Sequence, residues 1–186
     1  MAGAAPSFSE VHVARALFLI SDGNIGRKKL VKLLEIGEGS ARTLLKGLRE
    51  KKLINSSKKG HELTKKGKLH VKKILEKFSR PCEIFSSIVE GKKSVVIVHN
   101  VVHKIDKGIE ERDISLRAGA NGAIVLGYSN GIKMPVSDLK LNDSDLLNEI
   151  KKFNLQNGDV IVVSFANTNA SAENGALAIA LNLTKE

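Results

Sequence analysis

A chain of 186 residues with 30 Lys plus Arg against 20 Asp plus Glu carries a formal charge of +10, and with six Phe, one Tyr and no Trp it must build its core from Leu, Ile, Val and Ala. A hydrophobic fraction of 42% argues against wholesale disorder. No run approaches the roughly 18 apolar residues of a membrane-spanning helix, and Met1-Ala2-Gly3-Ala4-Ala5-Pro6-Ser7 has neither the charged nor the apolar region of a secretory signal. Cys82 stands alone, which excludes an internal disulfide and a thiolate-cluster zinc site and fits a reducing cytoplasm.

The charge is unevenly placed. Residues 1–80 hold 19 basic and 7 acidic side chains, a net +12, whereas residues 81–186 hold 11 and 13, a net −2. A break this sharp at Arg80-Pro81, where proline also discourages a helix from continuing, predicts two domains, 1–80 and 81–186. The basic first domain implies a polyanionic partner, nucleic acid ahead of a membrane surface.

In chain order, Ser7 and Glu10 have capping-box spacing, and Phe8 to Ile20 reads as an amphipathic helix with Val11, Ala14, Leu17 and Phe18 inward. Asp22-Gly23-Asn24 ends it. A second helix spans Arg27 to Leu34 with Leu30, Leu33 and Leu34 buried, and Gly37-Glu38-Gly39 forms the next turn. Ser40 is then the expected N-cap of a third helix reaching about Lys51. There Ala41, Leu44, Leu45 and Leu48 make one buried stripe, and Arg42, Thr43, Lys46 and Arg49 lie outside it. Leu53-Ile54-Asn55 and His61-Glu62-Leu63 read as strands joined by a Ser56–Gly60 turn. Thr64 caps a fourth helix through Phe78, with Val71, Ile74, Leu75 and Phe78 inward.

Three helices, a basic hairpin and a fourth helix is the order of a winged helix-turn-helix, and Glu62-Leu63-Thr64-Lys65-Lys66-Gly67 resembles the wing-to-helix junction of many prokaryotic winged-helix regulators. The resemblance implies an all-α domain with a small β-wing. Its recognition helix would be Ser40–Lys51, with Ser40, Arg42, Thr43, Lys46 and Arg49 toward duplex DNA, and its wing tip would be Lys58-Lys59-Gly60. An ordinary three-helix core with a solvated charged face is the alternative. Part of the lysine-rich fourth helix (Lys65, Lys66, Lys68, Lys72, Lys73, Lys77) reads as solvated face, or as a surface for packing the second domain, in either case.

Beyond Lys92 strands alternate with helices. Strands are expected at 94–98, 123–128, 132–134 and 160–165 and helices at 106–118 and 143–153; 172–183 reads either way, with alanine favouring a helix. The order β-α-β-β-α-β-α predicts a two-layer α+β domain, a four-stranded, mostly antiparallel sheet with helices on one face. Arg112 to Ala123, together with Ile36 to Leu45, resembles an uncharacterised archaeal family that joins an N-terminal winged helix to a small domain similar to the GAD domain of bacterial aspartyl-tRNA synthetases. That likeness covers nearly the whole chain and implies an architecture and a regulator label, with no activity attached.

Neither Gly119–Ala123 nor Asn167–Gly175 matches a Walker A or dinucleotide motif, so their glycines read as turn residues, with a small-molecule site as the alternative. Candidate ligand or interface residues are Arg112, Asp113, Arg117, Asn121, Asn167 and Asn169; an ion-pair network is the leading reading of the first three. His99 and His103 lack a third ligand, Cys82 lacks a His partner, and no catalytic set is evident, so no metal, no cofactor and no enzyme activity are expected. The expectation is a cytoplasmic DNA-binding transcription regulator, a homodimer whose second domain dimerises or senses a small effector, with no membrane role. An RNA- or tRNA-associated factor and an enzyme with a regulatory winged helix are the alternatives.

Overall fold

The computed structural model describes residues 7–135 and 143–185. The chain divides into two compact units, Met1–Leu75 and Glu76–Glu186.

The first unit opens with α1 (Glu10–Ser21), α2 (Arg27–Leu34) and α3 (Glu38–Glu50). The N-cap of α1 is Ser9, not the expected Ser7: the Ser9 backbone N–H donates to His12 Nδ1 at 3.1 Å. Ser7 is engaged elsewhere, its backbone N–H donating to Ser40 Oγ at 3.1 Å. Ser40 accordingly does not cap α3. That helix starts two residues earlier from an extended Gly37, whose carbonyl accepts from the Ala41 N–H, and places Glu38 in the positive first turn. Within α2, Leu30 and Leu34 form the inward i, i+4 pair, whereas Leu33, expected to be buried, is 37% exposed at the edge of that stripe. Arg15 of α1 is buried, and its guanidinium donates to the Leu33 carbonyl at 3.0 Å, tying α1 to α2.

The hairpin β1 (Ile54–Ser57) and β2 (Gly60–Leu63) is longer and tighter than expected. Ser57 pairs with Gly60, so the turn is Lys58-Lys59 alone. Ile25, ahead of α2, adds an antiparallel bridge to His61, with N–H···O contacts of 3.2 and 2.9 Å. Gly60 has φ +125°, and a Cβ there would press on the Ile25 backbone at 2.9 Å. Thr64 caps α4 (Lys65–Lys77) as expected: its Oγ1 accepts from the Gly67 N–H at 3.0 Å and donates to the Lys52 carbonyl at 2.7 Å. Gly67 faces the Leu53 carbonyl so closely that any Cβ would overlap it. The Glu62–Gly67 stretch is thus a packing device that brings the start of α4 against the Lys51–Leu53 segment following α3.

The second unit begins within the last turn of α4, because Lys77 and Ser79 belong to its hydrogen bonds. The Lys77 carbonyl accepts from the His99 N–H at 2.9 Å, and the Ser79 N–H donates to the Ile97 carbonyl at 2.8 Å. Phe78, expected to close the helix, instead bridges Val98. The sheet has five strands rather than four: β3 (Cys82–Glu83), β4 (Lys92–Val98), β5 (Gly122–Tyr128), β6 (Ile132–Lys133) and β7 (Val160–Ala166), in the order β3-β4-β7-β5-β6 and antiparallel throughout. The unforeseen strand is β3, two residues pairing with Ser94 and Val95.

The helices are α5 (Ile109–Arg117), α6 (Ser144–Ile150), capped by Asp143 Oδ1 accepting from the Leu146 N–H, and α7 (Asn169–Leu183), capped by Thr168. They do not share one face of the sheet. Leu146 and Ile150 of α6 pack with Val95, Ile97, Leu126, Ile161 and Val163. Side chains alternate along a strand, so Ser164 points the other way, where Ser115 of α5 meets its Oγ at 2.9 Å and Gly175 of α7 lies against both hydroxyls. The unit therefore has three layers. The two-layer expectation fails because Val160–Ser164 is buried at every position, the pattern of a strand covered on both faces.

Candidate nucleic-acid interface

The basic face of the first unit is built on α3. Ala41, Leu44, Leu45 and Leu48 are all buried, which fixes the rotation of the helix and leaves Arg42, Thr43, Lys46 and Arg49 outside. At 100° per residue Arg42, Lys46 and Arg49 fall on one flank about 60° wide, while Thr43 sits further round. The Thr43 hydroxyl donates to the Gly39 carbonyl at 3.1 Å, so this residue is already bonded to its own helix. Lys46 lies 3.8 Å from Glu50, a solvent-exposed i, i+4 pair. Ser40 is half-buried and held by Ser7. Among the described residues no ion pair involves Arg42, Arg49, Lys58 or Lys59.

Other elements add to this flank. Lys58 and Lys59 are exposed at the hairpin tip, the turn being stabilised by the Lys59 N–H donating to Ser57 Oγ at 3.1 Å. His61 on β2 has its pKa pushed down from the ordinary histidine value, first by burial and then by the guanidinium charges of Arg49 and Arg27. Three elements, α2, α3 and the hairpin, therefore place cationic groups within electrostatic reach of one another. Arg27 and His61 had not been singled out from the sequence. The run Arg27-Lys28-Lys29 was legible as charge, but the Ile25–His61 bridge that brings β2 beside α2 is a non-local contact. Arg27 is held by Glu38 at 3.1 Å across the α2–α3 turn. His70 on α4 is lowered in the same way, by burial and then by Lys51, Lys73 and Lys66.

The residues singled out in the second unit separate into two places. Asn121 Nδ2 donates to Asn167 Oδ1 at 3.0 Å, so these two loops meet at one end of β5 and β7. Asn169 is the first residue of α7 and donates to Glu83 Oε2 at 3.3 Å, toward β3. Most of the supposed Asn167–Gly175 loop is helix, and Gly175 is a contact glycine, since a Cβ there would overlap the Ser164 and Ser115 hydroxyls. Arg112, Asp113 and Arg117 are exposed on α5, and no ion pair joins them. The ion-pair reading of this trio is therefore corrected. His99 follows the end of β4 and its Nδ1 lies 3.4 Å from Asp159 Oδ1, whereas His103 sits in a separate single 3₁₀ turn, so their spacing is not helical. Among the described residues no group of three or more His, Cys, Asp or Glu is arranged to hold a metal, and no helix is long and apolar enough to cross a membrane.

A basic helical unit followed by an α+β unit with a five-stranded antiparallel sheet defines the class of protein. Residues 12–69 match the family model described as PH0730-like, N-terminal domain, and residues 89–183 match the one described as Domain of unknown function (DUF4443). The chain belongs to this two-domain family. Its structure is similar to that of hypothetical protein PH0730 from Pyrococcus horikoshii OT3, with 32% sequence identity and a TM-score of 0.81 over 95% of this chain and 93% of that one. No curated protein matches the chain.

Proposed function

We propose that the protein is a non-enzymatic, duplex-DNA-binding transcription regulator of the cytoplasm, in which the first unit acts as a winged helix and the second, GAD-like in its strand and helix order, dimerises the chain or takes a small effector. The observation that carries this reading is the flank of Arg42, Lys46 and Arg49 on α3, kept at the surface by the buried stripe of Ala41, Leu44, Leu45 and Leu48. An α-helix fits the major groove, where Arg and Lys bond guanine edges or phosphates. The Lys58-Lys59 tip supplies the second contact, on backbone or minor groove. The Ile25–His61 bridge supports the assignment because it fixes the hairpin beside α2 and α3, so that tip and helix address one ligand.

Fluorescence anisotropy or gel shift at graded salt tests the proposal, with duplexes that include the promoter of the protein's own gene. Binding is expected to weaken with salt at about 0.9 log unit per log unit of salt for each phosphate neutralised. Absence of binding to every duplex overturns the reading. Stronger competition by tRNA or structured RNA than by duplex DNA transfers the site to RNA.

A further inference from the structure

The histidines of the hairpin and of α4 answer to different cations. His61 is lowered, after burial, by Arg49 and Arg27, whereas His70 is lowered, after burial, by Lys51, Lys73 and Lys66, and no group belongs to both sets. The first unit therefore carries a second concentration of positive charge. Lys66, His70 and Lys73 are exposed and stand at i, i+4 and i+7 of α4, a band about 60° wide and about 10.5 Å long. The Lys66 ammonium donates to the Lys51 carbonyl at 3.0 Å and Thr64 Oγ1 to the Lys52 carbonyl at 2.7 Å, so the end of α3 is pinned beside the start of the band. Lys51 is also turned away from the first flank: as the αR C-cap of α3 it falls about 140–180° round that helix from Arg42, Lys46 and Arg49. The first turn of α4 begins with Lys65-Lys66 and has no acidic residue, so its cations stand against the helix dipole, a cost that a bound anion offsets.

We propose that the Lys66–His70–Lys73 band, with Lys51, is a second polyanion-binding surface whose occupant is the phosphate backbone of a duplex segment other than the one on α3. At 3.4 Å of axis per nucleotide the band spans about three phosphates of one strand. Backbone contact asks for cations in a row and for no access to base edges, and lysine supplies point charges. A folded protein partner is disfavoured because interface cores are depleted of lysine. A membrane is disfavoured because Leu69 is the one large exposed apolar side chain among the described residues of α4. The chain thereby joins two duplex segments, one met by α3 and the hairpin tip and one held without sequence preference.

The choice of a duplex rests on the proposed reading of the first unit, and the two histidines let the two surfaces fail separately. The full chain is titrated with a short duplex of about one helical turn. The histidine Cε1–H resonances are followed against pH by NMR, and sedimentation velocity at excess duplex gives the number bound per chain. Two duplexes per chain are expected, and the His70 pKa is expected to rise by about 0.5 as phosphate charge offsets the lysines. Lys66→Gln with Lys73→Gln is expected to weaken one of the two steps roughly tenfold and to lower its salt slope by about 0.9 for each lysine, while His61 still responds. Lys73→Gln alone keeps the Lys66 hydrogen bond and is expected to give half of that change in slope. Arg42→Ala with Lys46→Ala is expected to remove the other step and leave the His70 response in place. Circular dichroism checks that each variant is folded. A response of His61 without His70, at one duplex per chain, overturns the band and leaves the α3 reading standing. A response of His70 without His61 keeps the band and overturns the α3 reading, and a response of neither overturns both. Loss of both responses together in either double variant means that one duplex spans both surfaces, which overturns a separate site. Displacement of duplex from the band by phosphatidylglycerol vesicles at equal phosphate overturns the duplex as its occupant.

Discussion

Two glycines show how single residues set the packing inside each unit. Gly67 permits α4 to approach the Leu53 carbonyl, and Gly175 permits α7 to approach the sheet over the Ser115–Ser164 hydroxyl pair, whose oxygens both contact the Gly122 carbonyl at 3.2 Å. Each neighbour is backbone or a short, buried side chain, so nothing flexible can yield. Gly67→Ala and Gly175→Ala are each expected to destabilise their own unit by about 1–3 kcal/mol, the usual cost of overpacking, as read by urea or thermal denaturation. The histidines give a pH dependence of definite sign. His12, His61 and His70 all have pKa values lowered in the folded protein, principally by burial and further by neighbouring cations. Between the lowered values and the unfolded value of about 6.5 the unfolded chain binds more protons, so stability rises with pH across that window. The first unit is therefore expected to keep its full histidine-linked stability above about pH 6.5 and lose it progressively as pH falls into the window, which melts at pH 7.5 and 5.5 will register.

Among the elements, α3 is decisive because its two sides do different work. Its buried stripe was readable from spacing alone, and so were the exposed Arg42, Lys46 and Arg49, since Ala41, Leu44, Leu45 and Leu48 on one side leave one rotation only. Ser40 was misplaced for a reason the local sequence does not contain: its hydroxyl is engaged by Ser7, 33 residues away, and Gly37 starts the helix instead. If α3 meets phosphates, Arg42→Ala and Lys46→Ala are each expected to reduce the salt slope of duplex binding by about 0.9, additively, with little change in melting temperature. A phosphate near His61 would also offset the Arg49 and Arg27 charges that, after burial, lower its pKa. Binding is then expected to take up protons and to tighten as pH falls from 7.5 toward 6, a dependence that His61→Gln removes.

For the whole molecule, the proposed function places duplex binding in the first unit and self-association in the second. Charge follows the same division, with +12 in residues 1–80 against −2 in the remainder. If the second unit dimerises the chain, dissociating the dimer by dilution is expected to lower the apparent affinity for a two-half-site duplex while leaving the salt slope per bound chain unchanged, because no phosphate contact is lost. Titration of one duplex at several protein and salt concentrations checks this.

Periodicity, charge and turn residues determined by themselves that α1 to α4 and the hairpin exist, that the alternating strands and helices follow them, and which side of α3 faces outward. These are local properties, set by residues within about one turn of each other or by the pleat of a single strand. Tertiary structure alone decided the fifth strand, because Cys82–Glu83 is too short to carry a period and exists only by pairing with Ser94 and Val95. It also decided that α6 covers the opposite face of the sheet from α5 and α7. A strand buried at every position announces two covered faces without saying which helix lies on which. The same holds for Ile25 against His61: what each meets depends on a segment that no local spacing encodes.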